Sequence, residues 1–293
     1  MLSDGCANVG VTDHSQIAKH CASLAEAGVQ TSTYGLGHDF NEELMSRMAR
    51  SGLGNAYYGQ TAEDLMDPFM EEFDLLSELC ARKLRPSLVP ARGVTVQVLN
   101  GYAIDNEGRS MLPDIAYGSE AWALLKLAVP SSVAKADAGA VDLLTAALTY
   151  SDLSGVEHSE SAGLKIKTLP REAWEAVATD AAVVRRVTEV RAAGLQEMAR
   201  TAARDGDWRR VESLLQQLRG EAADNPWLKA SIDELEHYAR MRQTESFSKE
   251  SYYKAQKLRT RLADKAEDAD WSMAQEGDKA SFLRRKLEQG KRF

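Results

Sequence analysis

Histidine is the first residue type to consider for chemistry, because its imidazole can bind a metal or transfer a proton near neutral pH. His14, His20 and His38 are not three or four residues apart, the spacing that brings two side chains to one face of a helix. They are therefore predicted to be surface residues. His158 lies beside two glutamates in a predicted turn, where a solvated charge pair is expected rather than a site.

The cysteines Cys6, Cys21 and Cys80 suggest neither a metal site nor a disulfide framework. Their number is odd, and no two of them form a Cys-x-x-Cys pair. Cys21 and Cys80 fall on the apolar stripes of predicted helices. Both are therefore expected to be small buried hydrophobic side chains.

A glycine-rich turn raises the question of a nucleotide-binding enzyme, because a doubly wound sheet can carry a dinucleotide. The segment Gly35-Leu36-Gly37-His38-Asp39 lacks the third glycine of that motif and leads into an acidic helix start. The chain has no Gly-x-Ser-x-Gly elbow and no phosphate-binding loop. The sequence predicts a chain without catalytic activity, and an enzyme on a doubly wound sheet remains an alternative.

Strands and helices alternate over residues 1–80, which predicts parallel strands joined by crossover helices. Strands are expected at the start of the chain and over residues 29–34 and 55–58. Each of the three helices begins where side chains can cap free backbone N–H groups. These caps are Asp13, Asp39 with Glu42, and Thr61 with Asp64. The third helix carries an apolar stripe formed by Leu65, Phe69, Phe73, Leu76 and Cys80.

Several motifs in this region occur in the order and spacing of a known family. They are Leu2-Ser3-Asp4-Gly5, Ala7-Asn8-Val9-Gly10, Ser32-Thr33-Tyr34-Gly35-Leu36-Gly37, Asp39-Phe40-Asn41-Glu42 and Gly54-Asn55-Ala56-Tyr57-Tyr58. Residues 1–80 thus resemble the second half of a von Willebrand factor type A domain. The resemblance is to bacterial proteins in which this domain precedes a β-rich segment. The resemblance implies a partial doubly wound, Rossmann-like sheet and a non-catalytic interaction module with a protein partner.

The resemblance also implies a metal-ion-dependent adhesion site at the carboxyl ends of the strands, which in complete relatives usually holds Mg²⁺. Asp4 is the one family ligand that remains in this chain, with Ser3 and Gly5 as ligand-binding neighbours. The family's Asp-x-Ser-x-Ser motif is missing, because none of the three Asp-x-Ser triplets has serine at its fifth position. Mg²⁺ demands near-octahedral oxygen coordination, so the site is incomplete and no cofactor is expected in this chain.

The strand before Asp4 contains only two apolar residues, Met1 and Leu2, which is short for the start of a domain. One explanation is that Met1 results from truncation, a frameshift or a misassigned start. The other is a genuine half-domain that pairs with a partner supplying the first strands. The second explanation leaves an exposed sheet edge beside Leu2.

Residues 81–170 are predicted to form an antiparallel β-sandwich, because alternating apolar and polar runs are separated by turn residues. The clearest strands are 94–98, 121–129, 143–150 and 164–168. Asp152-Leu153-Ser154-Gly155 is the predicted turn between the last two. The region contains no cluster of metal-ligand residues, so a structural or interaction role is expected.

Residues 171–240 are predicted to form a helical hairpin or bundle, because apolar residues recur there at helical spacing. The expected apolar faces are formed by Val183, Val187, Val190 and Met198, by Val211, Leu214, Leu215 and Leu218, and by Leu228, Ile232 and Leu235. The multi-domain chain would thus combine α/β, all-β and all-α parts. A scaffold that works through this helical region, with a vestigial α/β part, is an alternative to the binding module.

Residues 241–293 are predicted to form a charged helical or partly disordered tail. Residues 1–80 contain 13 Asp and Glu against 3 Lys and Arg, whereas residues 240–293 contain 9 against 14. The basic tail is therefore either solvated or docked on an acidic surface, in the same chain or in another.

The chain of 293 residues carries a net charge of −8, which argues against nucleic acid as a partner. No apolar run reaches the roughly 18 residues that span a bilayer, so no transmembrane segment is expected.

Overall fold

The computed structural model describes residues 1–4, 6, 9–37, 39–134, 139–222, 226–260 and 263–264. Its elements fall into three groups along the chain. We call them the α/β unit (residues 1–77), the β region (residues 79–167) and the helical region (residues 171–260).

The α/β unit contains a three-stranded parallel sheet in the order β1-β2-β3. Its elements are β1 (Leu2–Ser3), α1 (His14–Glu26), β2 (Thr31–Leu36), α2 (Glu42–Ser51), β3 (Leu53–Gly59), a 3₁₀ turn (Glu63–Leu65) and α3 (Met66–Ser77). Leu2 lies opposite Tyr34, and Tyr34 lies opposite Tyr57. The predicted parallel strands with intervening helices are confirmed.

One of the three predicted helix caps is confirmed, since the Asp13 carboxylate accepts the Gln16 N–H at 2.8 Å. Asp64 accepts the Thr61 N–H at 2.9 Å, but this bond does not cap α3, because the 3₁₀ turn before α3 has Ala62 as its cap residue, without a side-chain hydrogen bond. The predicted cap of α2 by Asp39 with Glu42 is wrong. Asn41 is the cap, because its extended backbone lets its side-chain oxygen accept the Leu44 N–H at 2.8 Å.

The β region is built from antiparallel strands in two groups. Its elements are β4 (Leu79–Pro90), β5 (Thr95–Val98), β6 (Ile115–Ala116), β7 (Ser119–Glu120), β8 (Leu125–Ala128), α4 (Ser131–Ala134), β9 (Ala140–Ser151) and β10 (Glu157–Lys167). One sheet has the order β10-β9-β4-β6, and β5 pairs with β8. Leu125 and Leu127 of β8 pack against Leu143 and Leu144 of β9, so the two groups share apolar contacts.

Three sequence predictions near this region are corrected. Cys80 lies in β4 rather than on the stripe of α3, which ends at Ser77, and its side chain is exposed. The alternation of a strand places Leu79 inside and Cys80 outside. The strand predicted over 121–129 is shorter, since β8 begins at Leu125. His158 lies in β10 rather than in a turn.

The longer helices of the helical region pack around one apolar core. Its elements are α5 (Arg171–Glu175), α6 (Ala181–Arg204), α7 (Trp208–Glu221), α8 (Pro226–Arg240) and α9 (Thr244–Thr260), and a short β11 (Ala263–Asp264) pairs with β7. The predicted apolar faces of α7 and α8 are buried in this core.

The predicted apolar face of α6 is wrong. Val183 and Met198 are about half exposed, whereas the buried face of α6 is formed mainly by alanines. These alanines are Ala192, Ala193, Ala199, Ala202 and Ala203. Such small side chains allow α9 to lie close against α6, and this packing decides which face is buried.

The first part of the predicted tail forms α9, which belongs to the same core. Phe247 and Leu258 of α9 are fully buried. Trp271 and Phe282, which the tail prediction included, lie outside the described residues. Within the described part of the chain, no helix has both the length and the apolar character needed to cross a membrane.

Candidate functional site

Two of the predicted site residues, Ser3 and Asp4, lie at the carboxyl edge of the three-stranded sheet, the edge where open α/β sheets bind ligands. Ser3 ends β1 opposite Gly35 of β2 and is half-buried. Asp4 follows Ser3 and is exposed. Gly5 lies outside the described residues. The structure therefore places Ser3 and Asp4 side by side at this edge.

The residues described around Asp4 do not fit a divalent metal ion. Within the described ranges, no group of three or more His, Cys, Asp and Glu side chains could hold a metal. The carboxylates of two Asp-x-Ser triplets are engaged elsewhere, since Asp13 caps α1 and Asp152 accepts hydrogen bonds in a hairpin turn. The third triplet, at Asp270, lies outside the described residues. Asp4 alone cannot provide the several oxygen ligands that Mg²⁺ requires.

A cavity of about 330 Å³ opens beside β1, between β2 and α3. Met1 and Tyr34 line the side of the sheet, and Phe69 and Phe73 line the side of α3. Tyr34 stacks on Tyr57 with ring centroids 4.9 Å apart, and Phe69 lies 5.7 Å from Tyr34. The wall of the cavity therefore combines aromatic rings with polar side chains, which include Arg82 and Asp114.

Glu72 of α3 reaches into this cavity and ties the helix to the sheet. Its carboxylate accepts hydrogen bonds from the Ser32 hydroxyl at 2.5 Å, the Tyr57 hydroxyl at 2.7 Å and the Asn55 amide at 2.8 Å. Only 7% of Glu72 is exposed. A buried carboxylate needs such donors, and with three of them engaged Glu72 serves as an anchor for α3.

The mouth of the cavity carries large apolar side chains that remain in contact with solvent. Met1 is 59% exposed and Phe73 is 61% exposed. We call this surface the open-edge groove, and its side chains are Met1, Phe69, Phe73 and Leu76. The stripe predicted on α3 thus covers the sheet only in part, because β1 is the edge strand of the sheet.

The carboxyl edge is built around Phe40, whose side chain is 3% exposed. The ring lies directly over Gly35 of β2, where an added Cβ would come within 2.3 Å of the ring carbon Cζ. Glycine at position 35 is therefore needed for Phe40 to pack on the sheet. Met45 and Tyr253 share the cluster with Phe40, so residues of α9 complete the packing at this edge.

Charged side chains from the helical region reach the same edge. The Glu42 carboxylate at the start of α2 accepts hydrogen bonds from Arg200 at 3.0 Å and from Arg204 of α6. Lys249 of α9 places its ammonium 4.2 Å from the centre of the Phe40 ring. Burial lowers the pKa of Lys249, and the nearby Glu42 carboxylate acts in the opposite direction.

Tyrosines extend the contact between the α/β unit and the helical region. Tyr58 of β3 stacks on Tyr253 of α9 with ring centroids 5.9 Å apart. Gln60, which follows β3, donates a hydrogen bond to the Tyr238 hydroxyl of α8 at 3.0 Å. Burial raises the pKa of Tyr58 and of Tyr253, so both phenols stay protonated at neutral pH.

A Ser, Asp and His cluster in the β9–β10 hairpin resembles a catalytic set in composition but differs in geometry. The Asp152 carboxylate accepts the Ser154 hydroxyl at 2.6 Å and contacts the His158 ring nitrogen at 2.9 Å. His158 also stacks on Tyr150. The carboxylate lies between serine and histidine, so the imidazole is not placed to activate the hydroxyl. The cluster fixes the hairpin turn, and His158 pairs with Asp152 rather than with the glutamates beside it in the sequence.

Three of the side chains that shape these surfaces were missed by the sequence analysis. Glu72 was missed because α3 contains several acidic residues and nothing in the sequence distinguishes Glu72 from the others. Lys249 belongs to a charged segment, where lysine is normally solvated. Phe40 follows a turn and belongs to no periodic pattern. The one signal in the sequence for the contact of Lys249 with Phe40 was the opposite charge of the α/β unit and the tail. That difference in charge indicated that the tail could dock on the α/β unit of the same chain.

The solved structures that are similar to this chain include two with a TM-score above 0.5. The ArnB paralog VWA2 from Sulfolobus acidocaldarius is 18% identical, with 88% of this chain and 62% of that protein covered and a TM-score of 0.53. The von Willebrand factor type A protein from Catenulispora acidiphila is 13% identical, with 80% and 57% covered and a TM-score of 0.59. No protein-family model and no curated protein matches the sequence.

These similarities show a mixed α/β chain with a fold like that of von Willebrand factor type A proteins. They agree with the resemblance carried by the motifs of residues 1–80. This chain spans less than two thirds of the length of either matched structure.

Proposed function

We propose that this chain is a non-catalytic interaction module of the von Willebrand factor type A kind, which binds a polypeptide strand along β1 and the open-edge groove. The observation that carries the proposal is the edge position of β1 beside exposed apolar side chains of α3. Exposed contiguous apolar surface on a folded chain commonly marks a binding site.

The geometry favours an extended strand as the bound segment. An edge strand can extend its sheet by pairing its backbone with an added strand, which supplies affinity without a deep pocket. Alternate side chains of the added strand would point towards Phe69 and Phe73, because side chains alternate across a strand. Burying a Phe side chain contributes about 1.5–3 kcal/mol, so the groove can support specific binding.

The strand that best fits this edge is the first strand of a von Willebrand factor type A domain. The antiparallel β-sandwich and the C-terminal helical bundle are proposed as further interaction surfaces, and no cofactor is proposed for the chain.

A fluorescent synthetic peptide tests the binding site directly. The peptide carries a first strand with its Asp-x-Ser-x-Ser motif, and a scrambled peptide of the same composition serves as its control. Wild-type protein is expected to bind the first peptide with micromolar affinity and to ignore the scrambled one.

Phe73→Glu should weaken this binding at least about tenfold, because it places a charge in an apolar contact. The matched control is Val177→Glu, since Val177 is similarly exposed outside the groove. Equal binding by wild type and Phe73→Glu would exclude the groove. Binding of the scrambled peptide with similar affinity would show that the groove does not recognise the first-strand sequence specifically.

A further inference from the structure

The strand β10 is the edge of the four-stranded sheet in the β region. Strand β9 pairs with one long side of β10, and none of the described strands pairs with the other side. Of the eleven residues of β10, all but His158 are exposed. A long edge strand presents backbone N–H and C=O groups that can pair with an added strand. The outer side of β10 is therefore a surface on which one more strand can be added.

The charges of β10 are divided between its two halves. Glu157 and Glu160 lie in the first half of the strand, whereas Lys165 and Lys167 lie in the second half. Lysine on an edge strand usually prevents pairing with other strands. Two copies of β10 that run in opposite directions bring the acidic half of each copy against the basic half of the other. The strand is thus complementary in charge to itself.

We infer that β10 pairs with β10 of a second copy of this chain, as antiparallel edge strands related by a two-fold axis. Such an interface uses the same surface of both copies. If the axis passes beside Ala162, Glu157 of each copy lies opposite Lys167 of the other. Lys165 then lies opposite a serine and can keep its ion pair with Asp142 of β9, in which the two charged groups are 3.2 Å apart. Opposite charges in directly facing positions stabilise a pair of strands.

The middle of β10 suits the close approach of a second strand. Ala162 and Gly163 are small, and a Cβ added at Gly163 meets nothing within 4 Å. Leu164 is 42% exposed and Ile166 is 37% exposed. Both point to the same face of the strand as Ala162, because side chains alternate along a strand. A second copy would cover these two apolar side chains, which adds to the affinity of backbone pairing.

The interface is separate from the open-edge groove, because the groove lies beside β1 and α3. One strand from each copy buries less than the roughly 800 Å² per partner of a standard interface, so a reversible dimer is expected. Phe73→Glu, which weakens binding in the groove, should leave this dimer intact. Failure of the proposed function and failure of this inference can therefore be told apart.

Sedimentation equilibrium of the full chain tests the inference. Wild type should form a dimer with a dissociation constant of about 10–100 µM. Glu157→Lys and Lys167→Glu should each raise this constant at least about tenfold, because each turns two opposite-charge contacts into like-charge contacts. The two variants change the net charge in opposite directions, so overall repulsion does not explain a loss in both. Lys126→Glu is the matched control, since Lys126 is an exposed lysine of β8, and it should dimerise like wild type.

An equimolar mixture of Glu157→Lys and Lys167→Glu is the decisive sample. In a mixed dimer each lysine of the first variant faces a glutamate of the second, so dimers should reappear with the affinity of wild type. A folding defect in either variant would not give this result. The inference would be overturned if wild type stayed monomeric at about 500 µM, well above the expected dissociation constant. Charge variants that dimerise like wild type, or a mixture that stays monomeric, would also overturn it.

Discussion

Lys249 of α9 holds its ammonium 4.2 Å from the centre of the Phe40 ring, and both side chains are buried. A cation over an aromatic face is attracted by the ring, and the attraction is stronger away from water. This pair joins the acidic first part of the chain to the basic last part. Of the two alternatives for the tail, docking within the same chain is the one that α9 adopts.

Replacing Glu42 tests the ion pairs at the carboxyl edge. Glu42→Gln is expected to lower the free energy of unfolding by about 2–4 kcal/mol, since it leaves the largely buried Arg200 without a carboxylate. Urea denaturation followed by circular dichroism measures the change. Glu43→Gln is the matched control, and its exposed pair with Arg47 should contribute about 0.5 kcal/mol or less. Equal effects of the two variants would contradict the predicted role of Glu42.

Replacing Gly35 tests the packing of Phe40 on β2. Gly35→Ala puts a methyl group within 2.3 Å of the Phe40 ring, and Phe40 is only 3% exposed. Overpacking of this kind is expected to cost about 1–3 kcal/mol in the free energy of unfolding. Gly163→Ala in β10 is the control, because an added Cβ there meets nothing within 4 Å. Thermal denaturation should show a lower midpoint for Gly35→Ala than for Gly163→Ala. If Gly35→Ala had the midpoint of wild type, the close packing of Phe40 on Gly35 would be refuted.

The three thiols should differ in reactivity towards a disulfide reagent. Cys6 and Cys80 are exposed, whereas Cys21 is buried and its pKa is raised by desolvation. Two thiols are expected to react rapidly in the native protein, and the third only after unfolding. Cys80→Ser should leave one rapidly reacting thiol. If Cys80→Ser left two, Cys80 would lie inside after all, as the helical stripe had predicted.

The β9–β10 hairpin should depend on pH through Asp152. Hydrogen bonds from His158 and Ser154 hold the pKa of Asp152 well below its usual 3.8. A depressed carboxyl pKa contributes stability that is present above pH 3.8 and is lost as the pH falls below that value. Wild type should therefore be more stable than Asp152→Asn at neutral pH, and the difference should shrink in acid.

The control for the hairpin is Asp142→Asn, whose carboxylate forms an exposed pair with Lys165 in the same two strands. That variant should follow wild type at every pH, because exposed pairs contribute little. Thermal midpoints measured from neutral pH into acid give both comparisons. If the difference in thermal midpoint between wild type and Asp152→Asn stayed constant with pH, ionisation of the Asp152 carboxylate would not be the cause of the stabilisation.

The sequence predicted helices well where the spacing of apolar residues and a capping residue indicated the same helix. Asp13 predicted the start of α1. Leu214, Leu215 and Leu218 predicted the buried face of α7, because the apolar stripe of a helix faces the core. The same approach failed on α6. Its buried face consists of alanines, which do not stand out from their surroundings, and only the packing of α9 identifies it.

The candidate surfaces were harder to predict, because they depend on contacts between distant parts of the chain. Lys249 and Phe40 are separated by most of the sequence, and an isolated lysine is ordinarily solvated. The exposure of Phe73 depends on the edge position of β1, which the spacing of residues alone does not determine. Asp4 lies at the carboxyl edge, because it follows a parallel strand, but its role in a site stays a prediction.

The most direct test of the central claim is a calorimetric titration of the wild-type chain with the first-strand peptide, performed once in EDTA and once in millimolar Mg²⁺. We expect micromolar binding with the same affinity in both solutions, because strand pairing and the open-edge groove require no metal. Absence of binding in both solutions, or binding only with Mg²⁺, would contradict the account.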